Sequence, residues 1–259
     1  MSPTAAFGPR RTTHPAAAGF DTSAGAYERA RPSYPPDAVA TLAAELGLAP
    51  GRTVVDLGAG TGKLTRLLVP TGARVVAVEP SGGMRAELER AVPAAEVLDG
   101  TAEAVPLEDG AAAAAVAAQA FHWFDGDRAL ADIARVLAPG GGLGLIWNVR
   151  ERTVEWVARL ADVIEPYRHG VPTYRAGDWK AAFGRTQRFG PLQRRSFPFT
   201  HETDAATMVA RVASISWVAA LPEAERAVVL DRVRALFDGM PERFPVPYRT
   251  DVWWCRLRS

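Results

Sequence analysis

Apolar positions along the chain follow two periods in alternation. Short runs at 53–57, 74–79, 94–98, 112–119 and 143–148 are β-branched or alanine-rich and bounded by Gly, Pro, Asp or Glu. Between them lie helix-period stretches, most clearly 128–138 (RALADIARVLA), which Pro139 and three glycines should close. A further helix is predicted from about Asp37 to Leu46, behind Pro35 and Pro36. Such alternation predicts a parallel sheet with helices on both faces. After the fifth strand, 153–167 and about 203–238 read as helical insertions, the second lying between strands near 189–199 and 250–257. One assignment opposes local preference. Residues 111–118 (AAAAAVAA) favour helix by propensity, yet they follow an Asp109-Gly110 turn and must reach an aromatic loop, so a fourth strand is predicted.

Composition narrows the classes. The 259 residues suffice for one large domain, or a domain with a cap, and the net charge of +1 offers nucleic acid no general attraction. Cys255 is the single cysteine, so no internal disulfide forms, and its apolar setting suggests a buried thiol. No apolar run approaches a membrane span, and the N-terminus lacks a hydrophobic signal core. A cytoplasmic monomer or homodimer acting on a small molecule is the expectation. Residues 1–20 read as a disordered tail, 21–36 as an N-terminal lid segment, 37–150 as the core, and 151–259 as a helical cap with the last two strands.

The most informative stretch is 53–65 (TVVDLGAGTGKLT). A β-branched strand ends on Asp56, then Gly58, Gly60 and Gly62 alternate with Ala59 and Thr61 before a helix. A dinucleotide loop spaced Gly-x-Gly-x-x-Gly would need glycine where Lys63 stands, which argues against a dehydrogenase. The pattern instead resembles motif I of class I S-adenosylmethionine (SAM)-dependent methyltransferases. There the glycines admit the thioether chain, and an acid such as Asp56 organises the methionine ammonium, directly or through water. Glu79, ending the second strand, can accept both ribose hydroxyls, with Pro80 beside it. Met84 either packs on the adenine or is an ordinary core methionine. The resemblance makes Thr101, Ala102 and Glu103 adenine-site candidates, although many relatives carry an acid where Thr101 stands.

At the end of the fourth strand stands QAFHWFD, residues 119–125. Ligands bind outside the carboxyl ends of strands in such sheets. Gln119 is therefore a cofactor candidate, Trp123 and Phe124 are candidate pocket walls, and His122 a candidate general base, its reference pKa near 6.5 needing little tuning. His122 would otherwise only brace the loop.

Taken with Tyr27–Pro35, LAPGG, Trp147–Asn148 and the terminal PYRTDVWWCR, these segments resemble the methyltransferase type 11 group, including trans-aconitate methyltransferase-like proteins. Within it the likeness is to actinobacterial indole carbon-3 methyltransferases of secondary metabolism. The resemblance implies an α/β, Rossmann-like class I methyltransferase sheet, mostly parallel with the last strand antiparallel, under helical lid insertions. It also implies SAM as cofactor, no metal, and Tyr27 acting with His122 on an indole N–H as carbon 3 attacks, with pyrroloindoline closure where an amine is present. Tyr34, Trp147, Asn148, Arg211, Ile215 and Trp217 are substrate-side candidates, with Met208 a further one. A carboxyl or hydroxyl O-methyltransferase is the alternative, and Arg31, Arg150, Arg152 and Arg211 could clamp its carboxylates. A SAM-binding protein without turnover is a third reading.

Overall fold

The computed structural model describes residues 31–258; Tyr27 and the expected tail at 1–20 lie outside them. The chain runs α1 (Pro36–Leu46), β1 (Thr53–Leu57), α2 (Thr65–Leu68), β2 (Arg74–Val78), α3 (Gly82–Ala91), β3 (Glu96–Leu98), β4 (Ala112–Ala118), α4 (Gly126–Val136) and β5 (Leu137–Arg150). There follow α5 (Glu155–Ile164), α6 (Ala181–Arg185), β6 (Gln193–Thr203), α7 (Ala205–Ala213), α8 (Ser216–Ala219), α9 (Glu223–Ala235) and β7 (Phe244–Arg256). One seven-stranded sheet has the order β3-β2-β1-β4-β5-β7-β6, with β7 antiparallel to both neighbours. This is the mixed α/β sheet expected from the sequence.

The alanine strand has a packing reason. β1 and β2 carry valines because helices cover both their faces, a setting that favours near-continuous apolar runs. β4 pairs with both β1 and β5, and its alanines are divided between the two core layers. On β5, a Cβ at Gly144 would stand 2.4 Å from Leu42 on α1. The helix thus lies close to the sheet at that point, and pairing with β1 and β5 between two packed layers overrides alanine's helical preference.

Two boundaries differ from expectation. α4 stops at Val136, and Leu137 already pairs with Ala112, so Pro139 and its glycines do not cap the helix. They form a bulge: the register next resumes at Ala114–Gly142, with Gly140 at φ +75°. β6 and β7 also run further than predicted. Their far ends carry Phe199, Phe244, Val246 and Tyr248, which pack with α5, α7, α8 and α9 through Leu160, Ile164, Met208, Val212, Val229 and Val233. Met208 therefore belongs to this second core and is not a pocket wall. Among the described residues no helix is long and apolar enough to cross a membrane.

Candidate active site

The glycine loop is shaped by the strand before it. Gly58, Gly60 and Gly62 all have positive φ, and a Cβ on Gly58 would stand 3.0 Å from the Ala120 Cβ. The amides of Gly58 and Ala59 both donate to the Val78 carbonyl, tying the loop to the tip of β2. Glu79 completes the tie. One carboxylate oxygen accepts from the Gly60 N–H and the other from the Ser81 N–H, each at 2.9 Å. Ser81 then caps α3 through the Met84 amide, which buries Met84 beside Gly60.

Asp56 is fully buried. Its Oδ2 accepts from the Thr65 hydroxyl at 2.7 Å, while Oδ1 has no hydrogen-bond partner. Burial, opposed by the Thr65 hydrogen bond and aided by Glu79, pushes its carboxyl up to about 7. An orphaned carboxylate oxygen under a glycine loop suits a cationic ligand group. With Glu79 at the next strand tip, these residues fit the SAM cofactor that the motif implies: the loop for the methionine chain, Glu79 for the ribose.

A cavity of about 110 Å³ runs from this loop to the ends of β4 and β5. Its walls include Gly58, Ala59, Gly60, Lys63, Gln119, Asn148 and the segment Arg31, Pro32 and Tyr34. Tyr34 thus faces the cofactor side, not the acceptor side. Asn148 holds the segment down: its Nδ2 donates to the carbonyls of Ser33 (3.1 Å) and Pro32 (3.4 Å), and its Oδ1 accepts from Thr250 (2.6 Å). Lys63 adds a donor to the Arg31 carbonyl.

A second cavity, about 210 Å³, adjoins the first through shared walls at Arg31, Gln119, Asn148 and Arg211. Gln119 sits between the two with φ +56°, rare for a side chain of its kind and common at functional sites. His122, Trp123, Arg211, Ile215 and Trp217, all candidates on the acceptor side, line this cavity. Arg150, Arg152, Glu165, Tyr174 and Arg175 also line it. Five of its walls are therefore arginines against one acid, Glu165, which pairs with Arg152. Arg150 Nη1 is buried without a partner, and burial, then Arg31 and Arg152, push the Arg150 pKa down to about 10. Arg175 and Tyr174 escaped the sequence reading because they sit in an aperiodic stretch, 165–180, that carries no motif.

Several candidates fall elsewhere. Phe124 stands behind the glycine loop, 3.5 Å from where a Gly58 Cβ would be, and edge-on to Phe121. It braces the loop and walls neither cavity. Trp147 is fully buried against Tyr174 and Trp179, at ring separations of 4.7 and 4.8 Å, and does not line the cavity itself, although its partners His122 and Tyr174 do. Ala102 is core, and Glu103 accepts from the Asp125 amide at 2.8 Å, fixing the aromatic loop. Thr101 closes a small bridge with Ala104. His122 also differs from the easily tuned base expected: burial, then Arg31, push its pKa down to about 3, and its Nδ1 accepts from Trp147 Nε1 at 3.2 Å.

Residues 55–145 match the methyltransferase domain family. An uncharacterized methyltransferase of Mycobacterium tuberculosis is 42% identical over 86% of this chain and 86% of its own. An uncharacterized methyltransferase-like protein of Schizosaccharomyces pombe is 33% identical over 90% and 89%. A provisionally assigned type II methyltransferase structure from Anaeromyxobacter dehalogenans superposes with TM-score 0.65 at 24% identity, covering 88% of this chain and 97% of that one. The chain belongs to the class I SAM-dependent methyltransferases.

Proposed function

We propose that the enzyme methylates a small polycarboxylate on a carboxyl oxygen. The single observation carrying this reading is the convergence of five arginines on a cavity that adjoins the glycine loop, one of them with a buried, unpartnered nitrogen. SAM, when bound, would supply a sulfonium methyl: an acceptor carboxylate oxygen bonds to the methyl carbon as the carbon–sulfur bond breaks, giving an ester and a neutral thioether. The protein's part is to bind and orient. Guanidiniums grip carboxylates through paired N–H groups. Arg150 and Arg152, on and just after β5, and Arg211 on α7 can hold one carboxylate while another turns toward the Gln119 wall shared with the cofactor cavity.

Charge favours the carboxylate reading over the indole expectation. A neutral indole becomes cationic as carbon 3 takes the methyl, and the arginine walls oppose that charge. A carboxylate loses its charge in the transfer and needs no base. His122, with its pKa near 3, suits the second case. The aromatic faces of Trp123 and Trp217 remain available to cover a flat acceptor.

Methyl-labelled SAM incubated with tryptamine-type indoles and with succinate, tricarballylate and aconitate separates the readings by mass spectrometry. A labelled, base-labile ester is expected. Label on indole carbon with none on the acids would overturn the proposal.

A further inference from the structure

Trp147 has one polar atom, the indole Nε1, and an indole N–H only donates. It is spent on His122 Nδ1 at 3.2 Å. Nδ1 must then be bare, and a neutral imidazole with a bare Nδ1 carries its proton on Nε2. His122 itself lines the arginine-rich cavity. We propose that Trp147 locks His122 in the Nε2–H form, so that His122 donates a hydrogen bond to an oxygen of the acceptor and takes no proton from it. This rests on reading the cavity as the acceptor site.

The lock is rigid. Trp147 packs in one cluster with Tyr174 and Trp179, stacked at 28° against the first and tilted 34° to the second, while those two rings stack on each other at 5.9 Å. Trp179 Nε1 donates to the Tyr174 carbonyl, and the Tyr174 hydroxyl donates to the buried Asp251 at 2.7 Å. The same hydroxyl accepts from Trp253 Nε1 at 3.1 Å. Asp251 is anchored in turn by Ser196, Arg194 and Arg249. Turning the Trp147 ring would break this slab. Its donor therefore points at His122 whatever the acceptor does, making Trp147 a positioning residue acting through His122. The positive charge of Arg31 nearby opposes a second proton on the ring. The imidazole stays a one-proton donor beside the arginines, adding a directional N–H to their diffuse attraction.

The tautomer is read directly by long-range proton–nitrogen NMR of protein labelled at its histidines, with H122Q assigning the signals. The Nε2–H pattern is expected for His122, unchanged between about pH 6 and about 8, where an ordinary histidine titrates. W147F should mix the tautomers. An Nδ1–H pattern in the native protein would overturn the lock, as would an unaltered Nε2–H pattern in folded W147F. Should W147F not fold, the native spectrum still decides. For the donor role, H122L should lower kcat/KM for tricarballylate by at least about tenfold, the loss of a hydrogen bond to a charged group. H122Q should recover most of it, since an amide restores a donor but no base. Equal losses in both would refute donation. If tricarballylate is not methylated, the same comparison is made with whichever of the other acids is; if none is, the carboxylate reading and the donor role fail together, while the NMR result still judges the tautomer.

Discussion

Arg150→Met removes a guanidinium whose Nη1 is buried without a hydrogen-bond partner and which faces the charges of Arg31 and Arg152. The pKa of Arg150 drops from its ordinary value to about 10, burial being the largest cause. At about 1.4 kcal/mol per tenfold change, that depression costs the folded state roughly 3 kcal/mol. Because the folded value lies below the unfolded one, the penalty is fully in force below about pH 10, declines as the folded group loses its proton above that, and is gone once the unfolded group has also deprotonated. Methionine keeps the apolar stem and spares the backbone carbonyl that accepts from Arg175. Allowing about half the penalty for lost contacts leaves a gain of about 1–2 kcal/mol. That is a melting temperature roughly 2–8 °C higher for a protein of this size. Turnover of a polycarboxylate should fall, the KM rising at least about tenfold as one charge-assisted contact is lost. Differential scanning calorimetry at neutral pH, paired with the labelled-methyl assay, reads both. An unchanged or lowered melting temperature would refute the argument, because Arg150 would then already be compensated in the free protein.

Three further outcomes follow from the cofactor side. Asp56 has its folded pKa raised to about 7, so the stability it lends is complete below the ordinary value of 3.8 and lost as pH rises through 7. Asp56→Asn should therefore melt higher than the native protein at about pH 8.5 and gain less at about pH 5; equal differences at both would contradict the burial argument. Gly58→Ala must place a Cβ 3.0 Å from Ala120 at φ +63°. It should cost about 1–3 kcal/mol and abolish measurable SAM binding by calorimetry, whereas native-like binding would remove the loop from the cofactor site. Asn148→Ala cuts both side-chain ties to Pro32 and Ser33. Limited proteolysis near residues 31–34 should accelerate several-fold, with stability lowered by about 1–3 kcal/mol because the buried Thr250 hydroxyl loses its acceptor; an unaltered cleavage pattern would mean that Tyr34 and Lys63 suffice to hold the segment.

Much of the core could be read from the chain because its signals are local. β1 and β2 announce themselves as valine runs buried on both faces, and the glycine loop must follow β1 whatever the rest of the protein does. The end of α4 could not be read so closely. Pro139 and its glycines look the same as a helix stop or as a strand bulge, and only the pairing of β4 with β5 chooses. Trp147 misled for a related reason. A large aromatic at a strand end can face a ligand or the core, and the partners that hold it, Tyr174 and Trp179, come from a stretch with no periodicity. His122 was found by its neighbours in sequence, but its protonation is set by Trp147, 25 residues away.

The acceptor side is a different kind of object from the cofactor side. Arg31 enters on the segment before α1, Arg150 and Arg152 at the close of β5, Arg175 on a single 3-10 turn (Tyr174–Ala176) before α6, and Arg211 on α7. No spacing rule links them. Each alone reads as an ordinary surface cation, and only the second core, where α5, α7, α8 and α9 pack on the extended ends of β6 and β7, brings them to one cavity. Such an arrangement separates the two tasks physically. The loop and strand tips that hold the methyl donor belong to the sheet and tolerate little change, as the Gly58 and Gly144 contacts show. The arginines proposed to choose the acceptor sit on strand ends, connecting turns and helices, where a substitution alters the cavity's field without disturbing the sheet. Exchanging arginines among these positions should therefore change which anion is methylated well before it changes SAM affinity, and parallel titrations of both ligands across such variants would show a common loss if the two sites were one unit.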